Sequence, residues 1–287
     1  RRFPDVAEVV AELLRGVCDE LAVRSGAWFV DPAAVGSRAV VAPIAAVIVF
    51  LLVWEGLVWI NGWPNYVMAS PSDLPAAYAK YWNLFLVMGW QTLWRTVLGL
   101  LLAIAVGVGI GMIMGFSRVM REALYPLLVG FNAIPKATVV PIVALLFVGA
   151  HDFNTILIAF MISFFPIAVS VAIGLSTLEP EYRDILRSLG ASQATIFWKI
   201  ALPKTLPEFF GALKVAVTLA FIGTNLMEIV SPHGRGLGAL FDSGKTNSDY
   251  PLMFAVLIAL AALGILLYYI VVALEKIFAG WAERQPH

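Results

Sequence analysis

The stretch Thr96–Ser117, TVLGLLLAIAVGVGIGMIMGFS, decides how the chain is read. Its 22 residues include no Asp, Glu, Lys or Arg. As a helix they would extend ~33 Å, enough to cross the hydrocarbon core of a bilayer. Small residues recur at every fourth position: Gly99, Ala103, Gly107, Gly111 and Gly115. One face is therefore nearly smooth, which lets a neighbouring backbone approach closely. Tight packing is the expectation for this face, with sliding of the neighbour as the alternative.

The rest of the chain has the same character. Of its 287 residues, 61% are hydrophobic and 13% charged, where a soluble domain carries about 25% charged residues. That composition excludes a water-soluble enzyme. Phe153–Leu178 and Tyr250–Leu274 are also free of charge. Val40–Ile60 carries Glu55, Leu124–Gly149 carries Lys136, and Phe209–Val230 carries Lys214 and Glu228. The expected architecture is all-α and polytopic, with about six transmembrane helices. Lys plus Arg and Asp plus Glu both number 19, so no basic excess points to nucleic acid. The single Cys18 excludes an internal disulfide and a cysteine metal cluster. Arg1 to Val10 lack the apolar stretch of a signal peptide.

Orientation follows from the positions of Lys and Arg. With the N-terminus inside, thirteen fall in inner segments and three, Lys80, Arg235 and Lys245, in outer loops. Both termini are therefore expected in the cytoplasm. Residues 1–38 form an N-terminal segment, 39–280 the membrane domain, and 281–287 a cytoplasmic tail. Within the first, Asp5–Ala22 spaces its apolar residues as an amphipathic surface helix does. In the outer loop Asn61–Gln91, Ser70-Pro71-Ser72-Asp73 reads as the cap of a separate surface helix over Leu74–Phe85.

Several polar groups invite a chemical reading. Gly244-Lys245-Thr246 lacks the glycine that a phosphate loop needs five residues earlier, since position 239 is Ala. His151, His233 and His287 have no ligand-spaced neighbours, so no metal site is expected. Pro135 and Pro141 interrupt the third span around Lys136. A straight segment would set Lys136 at mid-membrane, where it could attract an anion. If Leu124–Asn132 lies along the inner surface instead, Lys136 sits near the headgroups. Lys214 and Glu228, 14 residues and ~21 Å apart on one helix, cannot pair within it. Together with Arg95 and Glu55 they fall near predicted span ends and read as interface groups. Arg95, Pro135, Lys136 and Glu228 are the candidate lining of a translocation path.

The inner loop Glu179–Pro207 is too polar to span, yet it has the grammar of two short helices. Pro180, Glu181 and Asp184 suit a helix start, and Gly190 suits its end. Tyr182, Ile185, Leu186 and Leu189 form one apolar stripe. Ser192 can cap a second helix with Ile196, Phe197 and Ile200 on its face, which Pro203 would stop. Such a pair is either a docking surface or a hairpin lying on the bilayer.

The run Asp184-Ile185-Leu186-Arg187-Ser188-Leu189-Gly190-Ala191-Ser192, followed by Ile200-Ala201-Leu202-Pro203, resembles the EAA loop of ABC-importer permease subunits. The Gly and the I-x-L-P fall at that family's spacing, while Asp184, Ile185 and Leu186 stand for its Glu-Ala-Ala. Leu93-Trp94-Arg95, Ile134-Pro135 with Pro141, Phe165-Pro166 and Gly234-Arg235-Gly236-Leu237-Gly238 are similar to the nitrate/sulfonate/taurine branch. The likeness covers Ala42 to Ala279. Ile134-Pro135-Lys136-Ala137 is also similar to permeases for pyrimidine vitamin precursors.

This resemblance implies a type I importer fold in the bacterial inner membrane. Its parts would be two copies of the permease, two cytoplasmic ATPase subunits and an external solute-binding protein. The chain itself would bind no cofactor and catalyse nothing, ATP and Mg²⁺ being used by the ATPase. Coupling would run through Asp184, Ile185, Leu186, Arg187, Leu189, Gly190, Ala191, Ser192, Leu202 and Pro203. The implied cargo is a small anionic solute of the nitrate, sulfonate, taurine or bicarbonate kind. A pyrimidine- or flavin-like vitamin precursor is the alternative, and an ion-coupled secondary transporter is the reading from another class.

Overall fold

The computed structural model describes residues 35–176, 188, 190, 192–231 and 234–280. The chain divides into two units, Arg1–Gly62 and Trp63–His287. The described part of the first is helix α1, Val35–Asn61. Its long apolar run carries no basic residue in the last turn, and the Asn61 side chain ends it by donating to the Leu57 carbonyl (2.8 Å).

The second unit holds α2 (Leu74–Phe116), α3 (Arg118–Ala133), α4 (Lys136–Leu146), α5 (His151–Ser176), α6 (Gln193–Ile196), α7 (Leu202–Val230), α8 (Leu237–Thr246) and α9 (Tyr250–Ala279). No strand occurs among the described residues. Four helices are long and apolar enough to cross a membrane: Pro71–Phe116, His151–Ser176, Phe197–Val230 and Tyr250–Ala279. Leu98, Leu101, Ile113, Ile222, Ile265 and Ile270 stand exposed on them, an arrangement suited to lipid rather than water.

The glycine face of α2 is buried against α5. A Cβ added at Gly99 would lie 2.5 Å from Ala159 Cβ, and one at Gly111 2.7 Å from both the Ala168 carbonyl oxygen and Val171 Cβ. At Gly115 it would lie 2.7 Å from Leu175 Cβ. The backbone of α2 thus lies too close to α5 to admit a side chain at these positions, so tight packing is the role of the stripe. α5 in turn packs along α7, and α7 along α9. A partly buried ion pair, Lys214 Nζ to Glu275 at 2.8 Å, ties α7 to α9. Lys214 thus finds on another helix the partner its own helix could not supply.

Three expectations change. The surface helix over Leu74–Phe85 is joined to the span rather than isolated from it: α2 is two helical stretches meeting at a kink, where Tyr81 is non-helical (φ −112°, ψ 16°), and the second continues to Phe116. Neither Ser70 nor Asp73 makes a side-chain cap. Hydrogen bonds tie this first part to α9 and the residue before it instead: Tyr78 donates to the Ala255 carbonyl (2.7 Å) and Tyr81 to the Asp249 carboxylate (2.7 Å).

The third expected span is two helices bent by 84°. Ile134 (ψ 126°) and Pro135 (ψ 109°) are both extended, because proline drives its predecessor out of the helical region. Pro141 stays inside α4 without breaking it.

Pro203 does not stop the helix after Ser192. α6, a π-helical turn over Phe197–Ala201 and α7 follow one another without a gap. The Leu202 N–H reaches back five residues to the Phe197 carbonyl. This wider turn sets Pro203 in the first turn of α7, where its missing N–H leaves little unsatisfied.

Candidate functional site

At the C-terminal end of α7 the segment 234–238 folds over a cluster of buried polar groups. Arg95 on α2 and Glu228 on α7 are 2% and 1% exposed and lie 3.3 Å apart, Nη1 to Oε1. Arg95 Nη2 also pairs with Asp152 at the start of α5, 2.6 Å from its Oδ1. Arg95 Nη1 further donates to the Arg235 carbonyl. The Glu228 carboxylate accepts from the Gly238 N–H (3.0 Å) and the Thr92 hydroxyl (2.9 Å). Thr92 Oγ1 accepts the Leu237 N–H in turn (2.8 Å). Thr96 donates to the Thr92 carbonyl (2.7 Å), and its hydroxyl lies 3.0 Å from that of Thr224.

This geometry explains Gly234-Arg235-Gly236-Leu237-Gly238. Gly236 has φ +129°, and a Cβ there would strike the Glu228 carboxylate. A Cβ at Gly238 would lie 2.8 Å from Glu228 Cβ. The glycines let the backbone close over the acid and offer it an N–H. Each charge is compensated, as burial requires.

Arg95 and Glu228 were therefore brought together by folding, and each serves as the other's partner rather than as a separate group at a span end. Thr92 and Asp152 were not singled out in the sequence. Thr92 and Thr96 flank Arg95 at helical i, i+4 spacing, and Asp152 is the acid of a first helical turn, so both carried a readable local signal.

Lys136 lies elsewhere. Its Nζ donates to the carbonyls of Phe131 (2.6 Å), Asn132 (3.1 Å) and Ile134 (3.0 Å) and sits 4.9 Å above the Phe131 ring. Those carbonyls are the ones that the end of α3 leaves without intrahelical partners. Lys136 thus caps α3 across the Ile134-Pro135 bend.

In the inner segment where the second short helix was expected, Gly190 has φ +82°, the left-handed conformation that suits a junction where one helix ends and another starts. Ser192 Oγ accepts the Thr195 N–H (3.1 Å), an N-cap. Ile196 and Ala201 are buried, while Trp198 is 66% exposed. Asp184, Ile185, Leu186, Arg187, Leu189 and Ala191 lie outside the described residues, as do the Asp5–Ala22 segment and the tail 281–287.

The comparisons agree on the family. Residues 103–280 match the model of the binding-protein-dependent transport system inner membrane component. The chain is 30% identical to the formylaminopyrimidine transport permease ThiX of Halalkalibacterium halodurans, over 85% of this chain and 96% of that one. It is 26% identical to the taurine transport system permease TauC of Escherichia coli, over 85% and 91% of the two chains. Among solved structures, the fold is similar to a chain of the MetNI methionine ABC transporter in an inward-facing form. There the TM-score is 0.57 at 19% identity, covering 70% of this chain and 98% of that one. The chain belongs to the binding-protein-dependent transport system inner membrane component family and is a multi-pass, non-catalytic permease subunit of a type I ABC importer.

Proposed function

We propose that this permease works as one of two identical copies, takes a small solute from an external binding protein and is driven by two cytoplasmic ATPase subunits docked on the segment around Gly190. The observation that carries this reading is mechanical. α6, the π turn and α7 form one continuous rod from Gln193 to Val230, and α7 alone spans ~39 Å between Leu202 and Glu228. Ile196 and Ala201 fasten its first turns to the bundle, while Trp198 and Lys199 face outward. A displacement imposed by an ATPase at this end would be carried as a rigid-body shift to the Arg95–Glu228 cluster at the other. In this proposal the two ends lie on the cytoplasmic and external sides respectively, as the distribution of Lys and Arg implies.

Asp184, Ile185, Leu186, Arg187, Leu189 and Ala191 complete the docking surface in this reading. Arg95 and Glu228 brace the path rather than line it, because both are saturated with partners. Pro135 sets the bend and Lys136 holds it.

For the solute, the vitamin-precursor reading has more support than the anionic one. Identity to the formylaminopyrimidine permease exceeds that to the taurine permease, and the cations Arg95 and Lys136 are engaged internally. Membership of the importer family disfavours an ion-coupled secondary transporter.

The test is co-purification of the ATPase with wild-type permease and with Gly190→Val. A β-branched residue at φ +82° is strained by ~1 kcal/mol or more. The expected result is normal membrane insertion with at least tenfold weaker ATPase retention. Wild-type retention would remove the coupling role from this segment.

A further inference from the structure

The bend between α3 and α4 lies half-way along the bundle, and two routes give that depth. Phe131 and Phe164 meet edge to face with ring centroids 5.5 Å apart. Phe164 is the middle of α5, ~20 Å from His151 and ~18 Å from Ser176 along the helix. α4 gives the same answer. Its Val140 and Val143 pack with Ile158 and Ile162 of α5, and Asn154 ties its far end to α5 through the Phe147 carbonyl (3.0 Å). Lys136 begins α4 ~15 Å from Leu146. The hydrocarbon core of a bilayer is about 30 Å thick, so the bend falls near its centre.

What the chain exposes there is not apolar. Asn132 and Thr138 are exposed, and among the described residues neither side chain makes a hydrogen bond. Ile134 and Pro135, both extended, are exposed too. Non-helical backbone at this depth is tolerated only where protein buries it or water reaches it. A dry cover would also enclose the Lys136 ammonium, which meets three carbonyls but, among the described residues, forms no ion pair. Burying an unpaired charge is expensive. Water removes both penalties.

We infer that the bend is a water-filled part of the translocation path, where Asn132 and Thr138 offer hydrogen bonds to the passing solute and the charge of Lys136 excludes cations. The inference rests on the importer reading and names the side chains that select the solute. An amide and a hydroxyl each donate and accept, so together they replace the hydration of a polar solute. The carbonyls that hold Lys136 leave its net charge in place, and a fixed charge in a narrow path is a barrier to ions of the same sign. The selected solute hydrogen-bonds and carries no positive charge.

The test is thiol labelling of the permease–ATPase complex in open membrane fragments, without nucleotide and again with ATP and vanadate. Asn132→Cys, Thr138→Cys and Ala105→Cys are each placed in a Cys18→Ser background. Ala105 is exposed on α2, ~15 Å along the helix from Arg95, and serves as the control facing lipid. The probes are sulfonatoethyl methanethiosulfonate, an anion, and trimethylammonioethyl methanethiosulfonate, a cation, with rates on the permease divided by those on free cysteine. In at least one nucleotide state both bend positions should react at least tenfold faster than Ala105→Cys. The anion should be favoured at least fivefold, and Lys136→Gln, which keeps two donors, should abolish that preference. Each position is read separately, so Thr138→Cys decides where Asn132→Cys fails to assemble. Rates no faster than the control in both states would place the bend against lipid and overturn the inference. A disulfide between two permease copies without reaction toward either probe would make the bend a dry contact and overturn it too. A preference that is absent, or unchanged in Lys136→Gln, would remove the cation barrier. Reaction at the bend in a permease that retains no ATPase would uphold the path and sink the coupling reading instead.

Discussion

Arg95 and Glu228, 133 residues apart in the chain, meet at 3.3 Å with both side chains almost fully buried. Around them, α2 contributes Thr92, α5 contributes Asp152 and the start of α8 contributes the Gly238 N–H. The cluster therefore joins four helices, α2, α5, α7 and α8, at one end of the bundle.

Removing one member of a buried pair strands the other, at a cost of about 3–5 kcal/mol. Arg95→Leu and Glu228→Leu are each expected to lower thermal stability in detergent markedly. The double variant should lose less than the two singles combined, by more than 1 kcal/mol in a double-mutant cycle. Strictly additive losses would show that the two charges do not support each other.

The glycine face makes a separate claim. Gly111→Leu would drive a side chain into the Ala168 carbonyl, a backbone atom that cannot rotate away. Overpacking of this kind costs about 1–3 kcal/mol or more. The expected outcome is loss of monodisperse protein on size exclusion, whereas Gly109→Leu, where a Cβ meets nothing within 4 Å, should behave as wild type. Equal behaviour of the two would mean that α2 and α5 do not pack as described.

Lys136 can be tested by separating charge from donors. Lys136→Met loses both, while Lys136→Gln keeps two N–H donors for the carbonyls ending α3. With capping as the role, uptake of solute should fall at least fivefold in Met and recover to within about twofold in Gln. If both fall alike, the positive charge itself is what counts, and the anion-path role returns.

Orientation is open to direct labelling. In a Cys18→Ser background, Ser243→Cys should react with an impermeant thiol reagent added outside sealed cells. Ser192→Cys should react only after permeabilisation. Both positions are exposed, so burial would not mask either result, and reversed labelling would invert the topology.

The sequence by itself determined the class of molecule, most of the spans and the tight face of α2. These depend on local quantities: run length, hydropathy and four-residue periodicity survive any change of neighbour. It also determined that Gly190 turns left-handed and that Ser192 caps, because both are resolved within a few residues. Only tertiary structure decided that Lys214 belongs to Glu275, that Arg95 belongs to Glu228, and that Gly236 lies against an acid. A charged residue in an apolar helix announces that it needs a partner, but not which of several distant groups will supply it. The same limit applied to Pro203 and Lys136. Proline's missing donor was legible, whereas the π turn that sets Pro203 in the first turn of α7 was not. A lysine's three donors were legible too, and the carbonyls they meet came into reach only when the chain bent by 84° at Ile134-Pro135.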